Sequence, residues 1–97
     1  MNASNSMYTI KYTNKFRKDV KRCYKRGLDL SLLRDAISVL AKTGKLPPEY
    51  KPHPLKGKYK NRMECHIQPD WLMVWMQNDK ELILLFTDTG THTDLFS

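Results

Sequence analysis

The pattern of hydrophobic and polar positions divides the chain into a helical first half and a strand-rich second half. Apolar and polar side chains alternate over residues 7–12, which predicts a half-buried strand. Thr13 or Asn14 can cap a following helix that ends at Gly27, and Asp29 can cap a second helix that ends at Gly44. The predicted buried positions are Phe16, Val20, Cys23 and Tyr24 in the first helix and Leu33, Ile37, Leu40 and Ala41 in the second. The short link predicts an antiparallel helical hairpin.

The second half predicts a long loop followed by a series of strands. Residues 45–60 contain four prolines and show no periodicity, which is typical of a functional or disordered loop. Alternation returns over residues 62–67, where Met63, Cys65 and Ile67 are predicted to face inward and Arg62, Glu64 and His66 outward. Residues 71–76 are apolar throughout, as in a central strand covered on both faces, and residues 81–86 form the next strand. A polar segment, residues 87–91, then leads to the C-terminal residues 92–97.

This order of elements predicts an α+β fold. An N-terminal strand, a two-helix antiparallel hairpin and three or more further strands would form a mostly antiparallel sheet with the helices packed on it. The length of 97 residues suits one domain, which we expect over residues 7–97. Residues 1–6 are polar and uncharged, so we expect them to be a disordered leader or a cloning remnant. With no secretory signal and no apolar run long enough to span a bilayer, we expect a cytoplasmic location.

Charge is distributed unevenly along the chain. Residues 1–60 contain 15 Lys and Arg against 4 acidic residues, whereas residues 61–97 contain 2 against 6. A small domain this basic indicates a polyanionic partner, either nucleic acid or an acidic protein segment. The alternative is that the basic side chains are solvated helix faces that keep the protein in solution. Cys23 and Cys65 form no CxxC pair, which favours buried reduced thiols over a zinc or redox motif.

Three histidines are the main candidates for chemistry: His53 in the proline-rich loop, His66 on a strand and His92 after the last strand. An antiparallel meander can bring these segments to one face, and Asp70, at a turn, can join them. Cleavage of RNA without a metal needs a base for the ribose 2′-hydroxyl, an acid for the leaving 5′-oxygen and positive charge at the phosphate. Histidine suits all three roles because its unperturbed pKa of about 6.5 makes both protonation states available.

Other side chains would bind the substrate in this interpretation. Lysines of the loop would hold backbone phosphates, and these are Lys51, Lys56, Lys58 and Lys60. Phe96 would stack on a base or, alternatively, anchor the C-terminus to the core. Arg62 would stabilise the phosphorane-like charge or pair with Glu64.

Two other chemistries compete with metal-free catalysis. Three histidines and a carboxylate can also bind zinc or iron, although their spacing matches neither HExxH nor a facial triad. A serine or cysteine nucleophile is the weaker alternative, because Ser31 and Ser38 lie on the predicted second helix and Cys65 points inward. The sequence therefore predicts no metal and no cofactor.

Three motifs carry a resemblance to a known family. They are KPHPLKG at Lys51–Gly57, ECHIQPDW at Glu64–Trp71, and TGTH at Thr89–His92 followed by Leu95-Phe96. In their order and separation these motifs resemble those of the YafQ-type toxins of the RelE superfamily. The resemblance covers residues 7–97. The resemblance implies that His53, His66, Asp70 and His92 are the catalytic set and that Phe96 positions the substrate. It further implies that His92 is the general acid, Asp70 or His66 the base, and His53 the phosphate stabiliser.

The resemblance also implies partners and a reaction. Family members are toxins of type II toxin–antitoxin systems that cleave mRNA on the ribosome, leave a 2′,3′-cyclic phosphate and block translation. Each is inhibited by an antitoxin, typically a ribbon-helix-helix protein whose acidic C-terminal segment wraps the toxin, and operator DNA is bound only through that complex. The alternative function comes from the ParE branch, whose members inhibit DNA gyrase by binding without a histidine cluster. The three histidines favour the ribonuclease.

Overall fold

The computed structural model describes residues 6–96, which form a five-stranded mixed sheet with two helices packed on one face. The elements in chain order are β1 (Thr9–Tyr12), α1 (Asn14–Lys25), α2 (Leu30–Thr43), β2 (His53–Pro54), β3 (Met63–Gln68), β4 (Trp71–Asn78), β5 (Ile83–Gly90) and α3 (His92–Phe96). Short 3₁₀ turns at Pro48–Tyr50 and Gly57–Tyr59 flank β2. The predicted leader, residues 1–6, lies outside the described residues except for Ser6.

The strands are ordered β1-β5-β4-β3-β2 across the sheet. β1 pairs with β5 in parallel, and every other pairing among the described residues is antiparallel. The predicted α+β class is confirmed, and β4 lies at the centre of the sheet as expected. None of the helices in the described part of the chain is both long enough and apolar enough to cross a membrane.

The predicted starts of both helices and the predicted end of α2 are confirmed by capping contacts, whereas α1 ends at Lys25, just before the predicted Gly27. The Thr13 side chain accepts a hydrogen bond from the Phe16 amide at 3.0 Å, and Asp29 accepts one from the Ser31 amide at 2.9 Å. Gly44 has a φ of 77° and donates its N–H to the Leu40 carbonyl, closing α2 in the left-handed conformation that glycine allows. The four positions of α2 that were predicted to be buried are buried.

The buried face of α1 differs from the prediction at two positions. Tyr24 was predicted to be buried, but it is 69% exposed. Asp19, an acidic residue among the basic ones, is only 2% exposed, because it accepts hydrogen bonds from Lys15, from Arg22 and from the amide of Thr89 in β5. Several donors satisfy this buried carboxylate, which therefore ties the helix to the sheet.

β5 starts later than predicted and also extends further along the chain. The extension was not predicted because a bulge interrupts the alternation of apolar and polar positions in this strand. The register between β4 and β5 shifts after the Val74–Asp88 pair, so that Trp75 pairs with Phe86 and Thr87 has no register partner. An extra residue in one strand breaks the period of two. Residues 87–90, predicted as a polar connection, therefore continue the strand, and Thr89 is completely buried. Residues 92–96, left unassigned by the sequence, form α3.

The core lies between the sheet and the two long helices. β4 and β5 contribute the buried side chains of Trp71, Met73, Trp75, Leu84 and Phe86. Leu72 and Val74 are buried on the other face of β4, outside this cluster. The predicted burial of β4 on both faces therefore holds up to Trp75, whereas Met76 is 37% exposed. Both cysteines are free and buried, and burial raises the pKa of the Cys65 thiol to about 12.

Candidate active site

The three histidines lie side by side at one edge of the molecule, although they come from three separate segments. β2 carries His53, β3 carries His66 and the first turn of α3 carries His92. The ring centroids of His53 and His66 are 6.3 Å apart, and those of His66 and His92 are 6.0 Å apart. The ring of Phe96 continues the row at 6.4 Å from His92. The candidate residues that the sequence analysis singled out thus form one cluster, which Asp70 joins through its contact with His92.

His92 is held by Asp70. The Asp70 Oδ1 atom accepts hydrogen bonds from the His92 ring Nδ1 at 2.8 Å and from the His92 backbone N–H at 3.1 Å. These two hydrogen bonds hold the pKa of the Asp70 carboxyl below its usual range. Since Nδ1 donates to the carboxylate, the proton available for transfer is the one on Nε2. Both side chains are largely exposed, at 57% and 66%, so a substrate can reach them.

His66 has a different partner. Its Nδ1 lies 3.1 Å from the carbonyl oxygen of Pro69, in the turn between β3 and β4. A carbonyl oxygen only accepts hydrogen bonds, so Nδ1 is the protonated nitrogen and the neutral ring carries its lone pair on Nε2. No side chain or backbone group in the described part of the chain hydrogen-bonds to this Nε2 atom. His66 is therefore arranged as a proton acceptor.

His53 differs from the other two because both of its ring nitrogens are occupied. Nδ1 is 2.8 Å from the Lys51 carbonyl oxygen, and Nε2 is 3.0 Å from Oε1 of Glu64. Glu64 is the register partner of His53 across the β2–β3 ladder, and it is 4% exposed. The sequence predicted that Glu64 points to the outer face, and it does lie on the face opposite Cys65, but that position is buried. His53 is therefore fixed in place by its own strand pair.

An aromatic and basic surface adjoins the histidines. The rings of Phe96 and Tyr59 meet edge to face with centroids 5.4 Å apart, and Phe96 is 41% exposed. Lys58 and Arg62 lie over the Tyr59 ring at 5.4 and 5.9 Å. Lys56 precedes this segment and is exposed. An exposed ring beside cations is the arrangement that binds an unpaired base and its phosphate.

Arg62 pairs with Asp88, whereas the sequence analysis considered Glu64 as its partner. Its Nη1 atom is 3.6 Å from Asp88 Oδ1, and Lys15 reaches the other oxygen of Asp88 at 2.9 Å. The alternative of an Arg62–Glu64 pair is therefore wrong: Arg62 pairs with Asp88, and the ion-pair partner of Glu64 is His53. Arg62 remains one-third exposed beside the aromatic surface.

A cluster of ion pairs fastens α3 to α1. Arg26 binds both carboxylate oxygens of Asp94 at 2.6 and 3.1 Å, which holds the pKa of that carboxyl well below its usual range. Asp94 also accepts the Thr91 amide at 2.9 Å, and the Thr91 hydroxyl accepts the Asp94 amide at 3.1 Å. This reciprocal pair is a capping box. It fixes the start of the helix that carries His92 and Phe96.

Sequence reasoning did not assign a function to Glu64, Tyr59, Asp94 or Asp88. A Thr91-x-x-Asp94 spacing is visible in the sequence and could have indicated the capping box. The partners of Glu64 and Asp88 depend on strand register, for which the sequence contains no local signal. In the described part of the chain, no group of three His, Cys, Asp or Glu side chains is arranged to hold a metal ion.

Comparisons with known proteins agree on one family. A family model described as bacterial toxin of type II toxin–antitoxin system, YafQ, matches residues 8–97. The mRNA interferase toxin YafQ of Escherichia coli strain K12 is 40% identical over 88 residues, covering 90% of this chain and 94% of that protein.

Solved structures resemble this chain over almost its whole length. YafQ in the E. coli DinJ–YafQ toxin–antitoxin complex has a TM-score of 0.85 at 36% identity, covering 94% of this chain and 99% of that one. A metal-bound toxin from Helicobacter pylori has a TM-score of 0.84 at 43% identity, covering 93% of this chain and all of that one.

Proposed function

The chain belongs to the YafQ family of bacterial type II toxins, and from this premise we propose that it is an mRNA interferase, an endoribonuclease that blocks translation. The single observation that carries the mechanism is the contrast between His66 and His92. The Nδ1 atom of His66 meets a carbonyl, whereas that of His92 meets a carboxylate. A carbonyl suits a neutral ring, and a carboxylate stabilises a protonated one.

His66 is then the general base and His92 the general acid. His66 Nε2 takes the proton of the ribose 2′-hydroxyl, and the 2′-oxygen attacks the adjacent phosphorus. The bond from phosphorus to the 5′-oxygen breaks as His92 Nε2 protonates that oxygen, leaving a 2′,3′-cyclic phosphate and a 5′-hydroxyl. Of the two bases that the resemblance left open, Asp70 suits the task less well, because its lowered pKa makes it a weak base and His92 occupies its oxygen.

The remaining predicted residues bind and neutralise the RNA. His53, close to His66, supplies positive charge at the scissile phosphate. Arg62, Lys56 and Lys58 hold neighbouring phosphates, and Phe96 stacks on a base with Tyr59 behind it.

The proposed partners follow from the family. The chain acts on mRNA at the ribosome, in the cytoplasm, and its excess of basic residues favours contact with ribosomal RNA. A cognate antitoxin, of the ribbon-helix-helix type with an acidic C-terminal segment, inhibits it. In support, E. coli YafQ forms a toxin–antitoxin complex with DinJ. Operator DNA is bound only through the antitoxin complex.

Primer extension on an mRNA translated in a purified system tests this function. Wild-type protein, the His92→Ala variant and a lane without ribosomes are compared. We expect ribosome-dependent cuts from the wild type and a rate about 10²- to 10⁴-fold lower from His92→Ala, the range for losing one positioned acid. Absence of cuts from folded wild-type protein would reject the ribonuclease and call for a DNA gyrase supercoiling assay.

A further inference from the structure

Glu64 is a buried carboxylate beside His53 whose presence the cleavage mechanism does not explain. The residue is 4% exposed, and its Oε2 atom is buried without a hydrogen-bond partner among the described residues. Its other oxygen, Oε1, lies 3.0 Å from His53 Nε2. A carboxylate removed from water costs folding free energy unless it is paired, so a neutral residue would be the more stable choice here.

The surroundings of His53 give this carboxylate a use. On the other side of the ring, the Lys51 carbonyl oxygen is 2.8 Å from Nδ1. Lys51 has a φ of 51°, an uncommon conformation for a residue other than glycine, and prolines on both sides of His53 restrict the backbone further. The ring therefore lies between two acceptors, and only the doubly protonated imidazolium has an N–H for each of them.

We propose that Glu64 is a positioning residue that holds His53 as an imidazolium in one fixed orientation, which rests on the ribonuclease function proposed above. The carboxylate is covered while the His53 side chain is 44% exposed, so the side of the pair that RNA meets is the cation. Both N–H groups of His53 are used inside the protein. His53 therefore acts on the scissile phosphate through its charge, and Glu64 keeps that charge in place.

A double-mutant cycle tests the proposal. Glu64→Gln preserves the shape and an acceptor oxygen but removes the negative charge. We expect cleavage to fall about 10- to 100-fold, the range typical for loss of an orienting partner, while the thermal unfolding midpoint stays at or above the wild-type value. In a His53→Ala background the same substitution should have no further effect, because the residue it acts through is absent. An equal fall in both backgrounds would overturn the proposal, as would wild-type cleavage by Glu64→Gln.

Two further measurements separate this proposal from the ribonuclease function and from a folding defect. Glu81→Gln is the matched control, since Glu81 is an exposed carboxylate in the turn between β4 and β5. The ¹⁵N chemical shifts of the wild-type His53 ring, measured at the pH of the cleavage assay, show whether one or both nitrogens carry protons. A doubly protonated ring supports the proposal even if no RNA is cut, and a neutral ring overturns it even if RNA is cut.

Discussion

Asp70 and His92 are 22 positions apart in the chain, and a single carboxylate oxygen of Asp70 binds both the ring and the backbone N–H of His92. One contact sets the orientation of the ring and the other sets the position of the residue. The first turn of α3 is thereby joined to the turn between β3 and β4. A proton donor held at two points loses little entropy when it transfers its proton.

Replacing Asp70 with Asn should lower cleavage about 10- to 100-fold with little change in stability, because the amide orients the ring but carries no charge to stabilise its protonated form. Single-turnover cleavage rates and thermal melts measure the two effects. Asp35→Asn, at an exposed position of α2, is the control. If Asp70→Asn cleaved as fast as the wild type, the carboxylate would have no part in the function of His92.

The ion pair between Arg26 and Asp94 should make the free energy of unfolding depend on pH in the acid range. The pKa of Asp94 is lowered in the folded protein, chiefly by its hydrogen bond to Arg26, so its stabilising contribution is complete above the unfolded pKa of about 3.9. That contribution is lost as pH falls through the lower folded value. Urea unfolding of wild type and Asp94→Asn should therefore differ by a constant amount above about pH 5 and converge in strong acid. A gap that widened as the pH fell would contradict this assignment.

Gly90 should tolerate no side chain. Its φ is 153°, and a Cβ atom there would lie 2.7 Å from Asp94 Oδ2 and 3.2 Å from Arg22 Nη2. Gly90→Ala must push against the ion pairs that hold α3, so we expect cleavage to fall by more than the loss of stability explains. Rates of the folded protein, compared with those of Gly57→Ala, measure this effect. Gly57 also has a positive φ, but a Cβ atom there meets nothing within 4 Å. Equal rates in the two variants would count against a positional role for Gly90.

Trp71→Ala should lower the free energy of unfolding strongly and the cleavage rate less, which is the reverse of the result expected for Gly90→Ala. Trp71 is 2% exposed, and its indole N–H donates to the buried Thr89 hydroxyl at 2.9 Å. Truncation leaves a cavity and removes this hydrogen bond, while the Thr89 hydroxyl still donates to the Leu72 carbonyl. The expected cost is about 3–5 kcal/mol. Chemical denaturation measures that cost, and cleavage is compared at a temperature where the variant is still folded. A variant that is as stable as the wild type but inactive would show that Trp71 acts in the active site and not in the core. Leu84→Ala, at another fully buried core position, is the comparison.

The sequence by itself determined the local elements and the candidate residues. Helical period and capping residues located α1 and α2, because both signals lie within one segment. Alternation located β3, and continuous hydrophobicity located β4. The motifs around His53, His66 and His92 identified the family and the predicted residues of the site.

The tertiary structure decided which atoms of those residues meet. The bulge that extends β5, the burial of Asp19 and the pairs His53–Glu64 and Arg62–Asp88 all depend on contacts between distant segments. Hydrophobic periodicity predicts on which face of its own strand a side chain lies. The same pattern fits every register that buries that face, so it does not select one of them. The contacts of His53 with the Lys51 carbonyl and of His66 with the Pro69 carbonyl are local, but the pairing of His53 with Glu64 is fixed only when the strands pair, and that of His92 with Asp70 only when α3 packs beside the turn between β3 and β4.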